Sequence, residues 1–321
     1  MDVRRIMSGR WLSVLSLTAL TSLSGCLGQR PAVGARPERS FMESKAAEAG
    51  KRALSAYEAG DYRKSLSYSM ESLRINRSID NRPGELLDLI NIGRILISAG
   101  DYERARLYIS DAVRLAISSG DSDRLSEAYA TQAKADLLSG SVSSAIDSIE
   151  EALSIDEKLG RISGERLNIK GMIYLREEML PEASEAFEEA LKANRSDGNG
   201  IETANSIRAL AKIRWKERKG REALNLYRDA YEIDKVLGDS GKIALDLLGM
   251  ADIYFWDKDF REAAFLYERS YIVSLNAGDR ARALKSLEMV IESYRALADE
   301  AKVIYYTRMR QGLRGESVGG E

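Results

Sequence analysis

The chain has 321 residues, 44% of them hydrophobic and 31% charged, with only four prolines and a net charge of −2. That composition suits a soluble helical protein, and no basic block is present to hold nucleic acid. There is no histidine, and the single cysteine is Cys26, which excludes internal disulfides, Cys/His zinc sites and any catalytic arrangement with a histidine base.

The first segment reads as an address. Arg4, Arg5 and Arg10 form a positive start, followed by the apolar stretch from Trp11 to Leu23. That stretch of about 13 residues is shorter than the roughly 20 needed to span a bilayer, and fits a signal-peptide core. It ends in Leu23-Ser24-Gly25-Cys26, which resembles the lipobox of bacterial lipoproteins. The resemblance implies removal of residues 1–25, diacylation of the Cys26 sulfur and acylation of its new amine. Leu27 stands where an aspartate would resemble an inner-membrane retention signal, so the expected location is the periplasmic face of the outer membrane. Residues 26–41 hold Gly28, Pro31, Gly34 and Pro37 with Arg30, Arg36 and Arg39. They read as a flexible tether, and residues 27–40 alone reach about 45 Å at roughly 3.3 Å per residue.

From residue 42 the sequence is periodic. Gly60-Asp61-Tyr62 recurs as Gly100-Asp101-Tyr102 and, less faithfully, at Gly140-Ser141, Leu180-Pro181, Gly220-Arg221 and Asp259-Phe260. A second set of breakers falls midway, at Asn81-Arg82-Pro83-Gly84, Gly120-Asp121, Gly160, Asp197-Gly198-Asn199-Gly200, Gly238-Asp239 and Gly278-Asp279. Glycine supplies the positive φ that ends a helix and aspartate caps the next. Two alternating kinds of breaker, about 20 residues apart, therefore predict helix pairs. Small residues keep the same beat. Ser65, Ala105, Ala145, Ala183, Ala223, Ala263 and Ala301 are separated by 40, 40, 38, 40, 40 and 38 residues, and Ala53, Gly93, Ala133, Gly171, Ala211 and Ala251 precede the first six by 12. Such positions let the two helices of a pair approach closely.

This pattern resembles the tetratricopeptide repeat, whose second helix opens with sequences like Gly100-Asp101-Tyr102-Glu103-Arg104-Ala105. The resemblance covers about residues 42–311. It implies an all-α, right-handed superhelical solenoid of helix pairs with a period near 40: six repeats and a degenerate seventh that caps the stack, with Met289 and Arg308 at its small-residue positions. Residues 312–321 are expected to form a disordered tail. No single pair can bury its apolar face alone, so stability has to come from neighbours.

The resemblance further implies that first helices line a concave face. On that frame Arg94, Lys134, Met172, Lys212 and Asp252 share one inward position, with Asn168, Arg176, Arg208, Trp215, Lys216, Phe255 and Trp256 beside it. Two readings stand at this point. The basic residues steer an acidic partner segment while Trp215, Phe255 and Trp256 anchor it, or the charges are a solvated face and the aromatics pack between repeats.

The function expected is a membrane-anchored scaffold for a protein or peptide partner. A structural subunit of a cell-envelope assembly or secretion complex is the alternative. An enzyme is not expected, and no cofactor, metal or catalytic residue is assigned. Adjacent carboxylates such as Glu150-Glu151 point about 100° apart on a helix, and Asp197-Gly198-Asn199-Gly200 lacks the strand and lysine of a phosphate loop.

Overall fold

The computed structural model describes residues 37–315, so the signal segment, Cys26, the tether up to residue 36 and the last six residues lie outside the described part. The described residues form helices and turns, with no strand, in two compact units. The first contains α1 (Pro37–Glu58), α2 (Tyr62–Ser78), α3 (Arg82–Ser98), α4 (Tyr102–Ser119), α5 (Ser122–Ser139) and α6 (Val142–Lys158). The second contains α7 (Gly164–Arg176), α8 (Leu180–Ser196), α9 (Gly200–Lys216), α10 (Gly220–Leu237), α11 (Ser240–Trp256), α12 (Phe260–Asn276), α13 (Arg280–Ala296) and α14 (Glu300–Arg314). Within each unit consecutive helices pack as neighbours, and alternate first helices also touch, α3 with α5 and α7 with α9.

Helix boundaries follow the local chemistry. Asp61, Asp101, Asp121, Asp239, Asp259, Asp279 and Asp299 each cap a helix by accepting the backbone N–H three residues on, which satisfies one of the orphan donors of the first turn. Before five of them the turn places a glycine, such as Gly60, Gly100 or Gly238, at positive φ, and Lys258 and Ala298 take that place before Asp259 and Asp299. Two turns of the second unit were misread from sequence. Leu180-Pro181 and Gly220 open α8 and α10, and the residues at positive φ are Glu178 and Arg218, followed by the caps Met179 and Lys219, which make no side-chain cap bond. Both the glycine and the aspartate are missing there, so the local signal was displaced by two residues.

The expected start and end also move. α1 begins at Pro37, within the segment read as tether, because proline is tolerated in the first turn of a helix and Glu38 complements its dipole. α14 runs on to Arg314. In the last pair the register expected from Ala301 is corrected. Asp299 caps α14, so the small-residue position falls at Val303, and Ala301 is exposed. Its counterpart in α13 is the buried Ile291 rather than Met289.

Close approach within pairs depends on the small residues. Ala105, Ala145, Ala183, Ala223 and Ala263 are fully buried. A Cβ on Gly93 would sit 2.5 Å from Ile109, and one on Gly171 would sit 2.8 Å from the Phe187 ring, which is 1% exposed and cannot retreat. Gly50, inside α1, has nothing within 4 Å of its Cβ direction.

These two glycines give opposite expectations. Overpacking costs about 1–3 kcal/mol, against roughly 1 kcal/mol gained by replacing a helical glycine with alanine. Gly171→Ala should therefore lower stability by about 1 kcal/mol, and Gly50→Ala should raise it by about 0.5–1 kcal/mol. Urea unfolding followed by circular dichroism reads both.

Candidate partner groove and a recurring polar triplet

A three-residue pattern recurs behind the first helices. A residue of one first helix is followed 26 positions later by one in the second helix and 12 later by one in the next first helix. In the second unit the triplet Asn168, Asn194 and Ser206 is buried and fully bonded. The Asn194 amide donates to Ser206 Oγ at 3.2 Å, Ser206 donates to Asn168 Oδ1 at 2.7 Å, and the Asn168 amide reaches Glu202 Oε2 at 2.8 Å.

The next triplet is charged. Arg208, 4% exposed, meets Asp246 in a bidentate pair, Nε to Oδ1 at 2.6 Å and Nη2 to Oδ2 at 3.2 Å. Its Nη2 also donates to Asp234, and Nη1 to Asn205 Oδ1 at 3.0 Å. Two buried carboxyls thus share one guanidinium. Burial pushes Asp234 up to about 7, with the attraction of Arg208 opposing and the charge of Asp246 adding to the rise. Asp246 is raised as well, again by burial first. In the first unit the triplet Ile90, Ala116 and Ala128 is wholly apolar and buried.

The first triplet of the chain is incomplete. It consists of Gly50, Asn76 and Asp88. The Asp88 carboxylate is 6% exposed, and its Oδ2 accepts from Asn76 at 2.7 Å and from Ser72 at 2.9 Å. Burial pushes Asp88 up to about 6, with the bonds from Asn76 and Ser72 pulling the other way. Where Arg208 fills the second unit, Gly50 leaves space. A cavity of about 810 Å³ opens there, bounded by α1 and α3 with Ser65, Ser69 and Ser72 of α2 lining it. Leu54, Tyr57, Leu87 and Ile95 give it apolar walls, and Arg124 and Glu127 of α5 contribute to one end.

The residues expected to form a basic groove are dispersed. Asn168 and Arg208 are corrected outright: both are buried with their polar atoms engaged inside the protein, so neither is available to a partner. Arg94 lines the cavity but pairs with Glu127 at 2.8 Å. Lys134 and Arg176 are exposed. Lys216 is exposed and pairs with Glu178 at 3.2 Å. Lys212 reaches solvent beside a dense protein surface, which, with Arg208 nearby, holds its ammonium below the usual range. Trp215 and Phe255 are half-buried against the second unit's core. Phe255 packs edge-on to Phe260 at 5.3 Å. Trp256 is 55% exposed, edge-on to Trp215 at 5.4 Å, with the Arg218 guanidinium 5.1 Å above its ring. Cys26 lies outside the described residues.

The cavity residues escaped the sequence reading because Gly50 and Asp88 fit ordinary helical surface. Stepping back three residues from Ala53 and from Ala211 would have exposed the contrast between Gly50 and Arg208.

Repeats of this geometry place the chain among helix-pair repeat proteins. Residues 45–118 and 166–235 match the tetratricopeptide repeat model, so the protein carries tetratricopeptide repeats in both units. No curated protein matches the sequence. Among solved structures it is similar to BtubC (BKLC) from P. vanneervenii, at 22% identity and a TM-score of 0.58 over 68% of this chain and 93% of that one. It is also similar to PilF of Pseudomonas aeruginosa, at 17% identity and 0.53 over 74% and 96%. A Rap protein complexed with competence and sporulation factor matches at 13% identity and 0.59 over 85% and 77%. Identities this low carry the fold alone.

The buried carboxyls fix a pH dependence. Asp234 and Asp88 hold protons in the folded state that they release near 3.8 when unfolded. Stability therefore falls as the pH rises from about 4 to 7. The melting temperature should be higher at pH 5 than at pH 8, and Asp234→Asn should flatten the difference. Arg208→Leu strands two buried carboxylates and should cost about 3–5 kcal/mol at pH 8, with a smaller loss at pH 5.

Proposed function

We propose that the protein is a membrane-tethered interaction scaffold, held by an acylated Cys26 and receiving a protein segment in the groove of its first unit. The observation that carries this reading is the open cavity of about 810 Å³ against α1 and α3. Its size falls in the range of about 300–1,000 Å³ typical of ligand sites. Its walls combine exposed apolar side chains, with Leu54 58% exposed, and a polar floor. That mixture gives anchoring area together with hydrogen-bonding groups that fix orientation. The tetratricopeptide repeats support a protein or peptide as the occupant.

The anchor rests on Leu23-Ser24-Gly25-Cys26 at the end of an apolar stretch behind three arginines. No helix of the described residues is long and apolar enough to cross a membrane; in this reading the lipid makes the attachment. The proposed location is the periplasmic face of the outer membrane. α1 begins at Pro37, which puts the groove close in sequence to the lipid and holds a bound segment near the bilayer.

Crosslinking in cells, followed by purification and mass spectrometry, tests the reading. The Leu54→Asn/Leu87→Asn variant changes two side chains that already reach solvent, so its folding should persist. It is expected to lose a captured partner at least about tenfold, the scale of removing two apolar anchors, while Trp256→Ala keeps it. Equal capture by the groove variant would overturn the groove as the binding surface. Cys26→Ala should release the protein from membranes, and continued membrane association would overturn the lipid anchor.

A further inference from the structure

The charged triplet of the second unit and the first triplet of the chain share the acceptor carboxylate, with Asn76 where Asp234 stands and Gly50 where Arg208 stands. In the second unit Arg208 on α9 reaches Asp246 on α11 and Asp234 on α10. In the first unit the same positions on α1, α2 and α3 hold Gly50, Asn76 and Asp88, in the same 26 and 12 spacing. The acceptor is in place, the hydrogen-bonding neighbour is in place, and the guanidinium is missing. The space for it is open, because no atom lies within 4 Å of the Cβ direction of Gly50 and both Gly50 and Asp88 line the cavity.

We propose that this cavity is a subsite for an arginine side chain presented by a partner's linear segment. Its guanidinium takes the place, relative to Asp88, that Arg208 takes relative to Asp246. Resting on the scaffold reading, this names the partner's chemistry: basic at the residue that enters the groove, the reverse of the acidic segment expected from sequence.

Three observations support the assignment. Among the described residues Asp88 has no ion-pair partner; Asn76 and Ser72 both bond its Oδ2, and no described residue donates to its Oδ1. A buried carboxylate bonded only by neutral groups is costly, and a cation supplied by a ligand relieves that cost. The other arginines lining the cavity are not available for this role, since Arg94 and Arg124 both pair with Glu127. Finally, a planar guanidinium meets a carboxylate through two parallel bonds, the geometry that Arg208 and Asp246 already display in this chain.

The probe is N-acetyl-L-arginine amide, titrated into the full-length protein and followed by NMR, with N-acetyl-norleucine amide as the apolar control. Saturable binding of the arginine probe, absent for norleucine and weakened at least about tenfold by Asp88→Asn, is the expected result. Gly50→Arg should block the probe and raise the melting temperature, because it rebuilds the second unit's pair within the first. Probe binding that ignores Asp88→Asn, persists in Gly50→Arg or is matched by norleucine would overturn the subsite, as would no saturable binding. Binding that emerges only in the Arg30→Gln/Arg36→Gln chain makes the protein's own N-terminal segment the occupant and overturns the partner assignment. Partner capture is scored separately. Asp88-dependent probe binding without any captured partner removes the scaffold reading and leaves the subsite, whereas a captured partner with an indifferent probe does the reverse.

Discussion

Everything in this protein depends on how closely two helices of a pair can approach. A lone pair of 17-residue helices such as α11 and α12 has too little apolar surface to fold by itself, and each gains its core from the pairs on either side. Close approach is what makes those cores continuous. The buried alanines at intervals of 38 or 40 residues, and Gly93 and Gly171 facing Ile109 and Phe187, set the helix separation. The larger side chains then fill what remains.

Because the spacing is constant, the same three positions meet again and again behind the first helices, and the chain fills them differently each time. Ile90, Ala116 and Ala128 make the meeting point apolar; Asn168, Asn194 and Ser206 make it a closed hydrogen-bonded set; Arg208, Asp234 and Asp246 make it ionic. Gly50, Asn76 and Asp88 leave it unfinished. A repeat protein thereby carries its own internal comparison. The later copies show what chemistry the position accepts, and the first shows where that chemistry has been withdrawn.

Much of the fold was legible because breakers and small residues act locally. Gly100-Asp101 places a positive-φ turn and a cap with no help from the rest of the molecule. Glu178-Met179 and Arg218-Lys219 supply neither, and their turns were read two residues late. Ala301 fitted a spacing of 38 that occurs elsewhere in the chain, yet the Asp299 cap puts Val303 at the packing position. The site was less legible for a different reason. Inward-facing positions were found by analogy, but burial separates a cation that meets solvent, such as Lys212, from one enclosed by two carboxylates, such as Arg208. Side-chain partners 26 and 38 residues away decide that, and no window of local sequence contains them.

The turns of the second unit have a consequence for how this sequence can drift. Glu178 and Arg218 occupy a backbone region that costs a side-chain-bearing residue about 1–2 kcal/mol. Each returns a smaller contact, Glu178 to Lys216 and Arg218 to the Trp256 ring, worth about 0.2–1 kcal/mol when exposed, which offsets part of that cost. That partial offset lasts only while both partners stay. A lineage that loses Trp256 or Lys216 keeps the cost and forfeits the return, and the least disruptive next step is glycine at the turn. Residues 178 and 216, and likewise 218 and 256, are therefore coupled, so that a mutation on one helix reshapes what the neighbouring turn can tolerate.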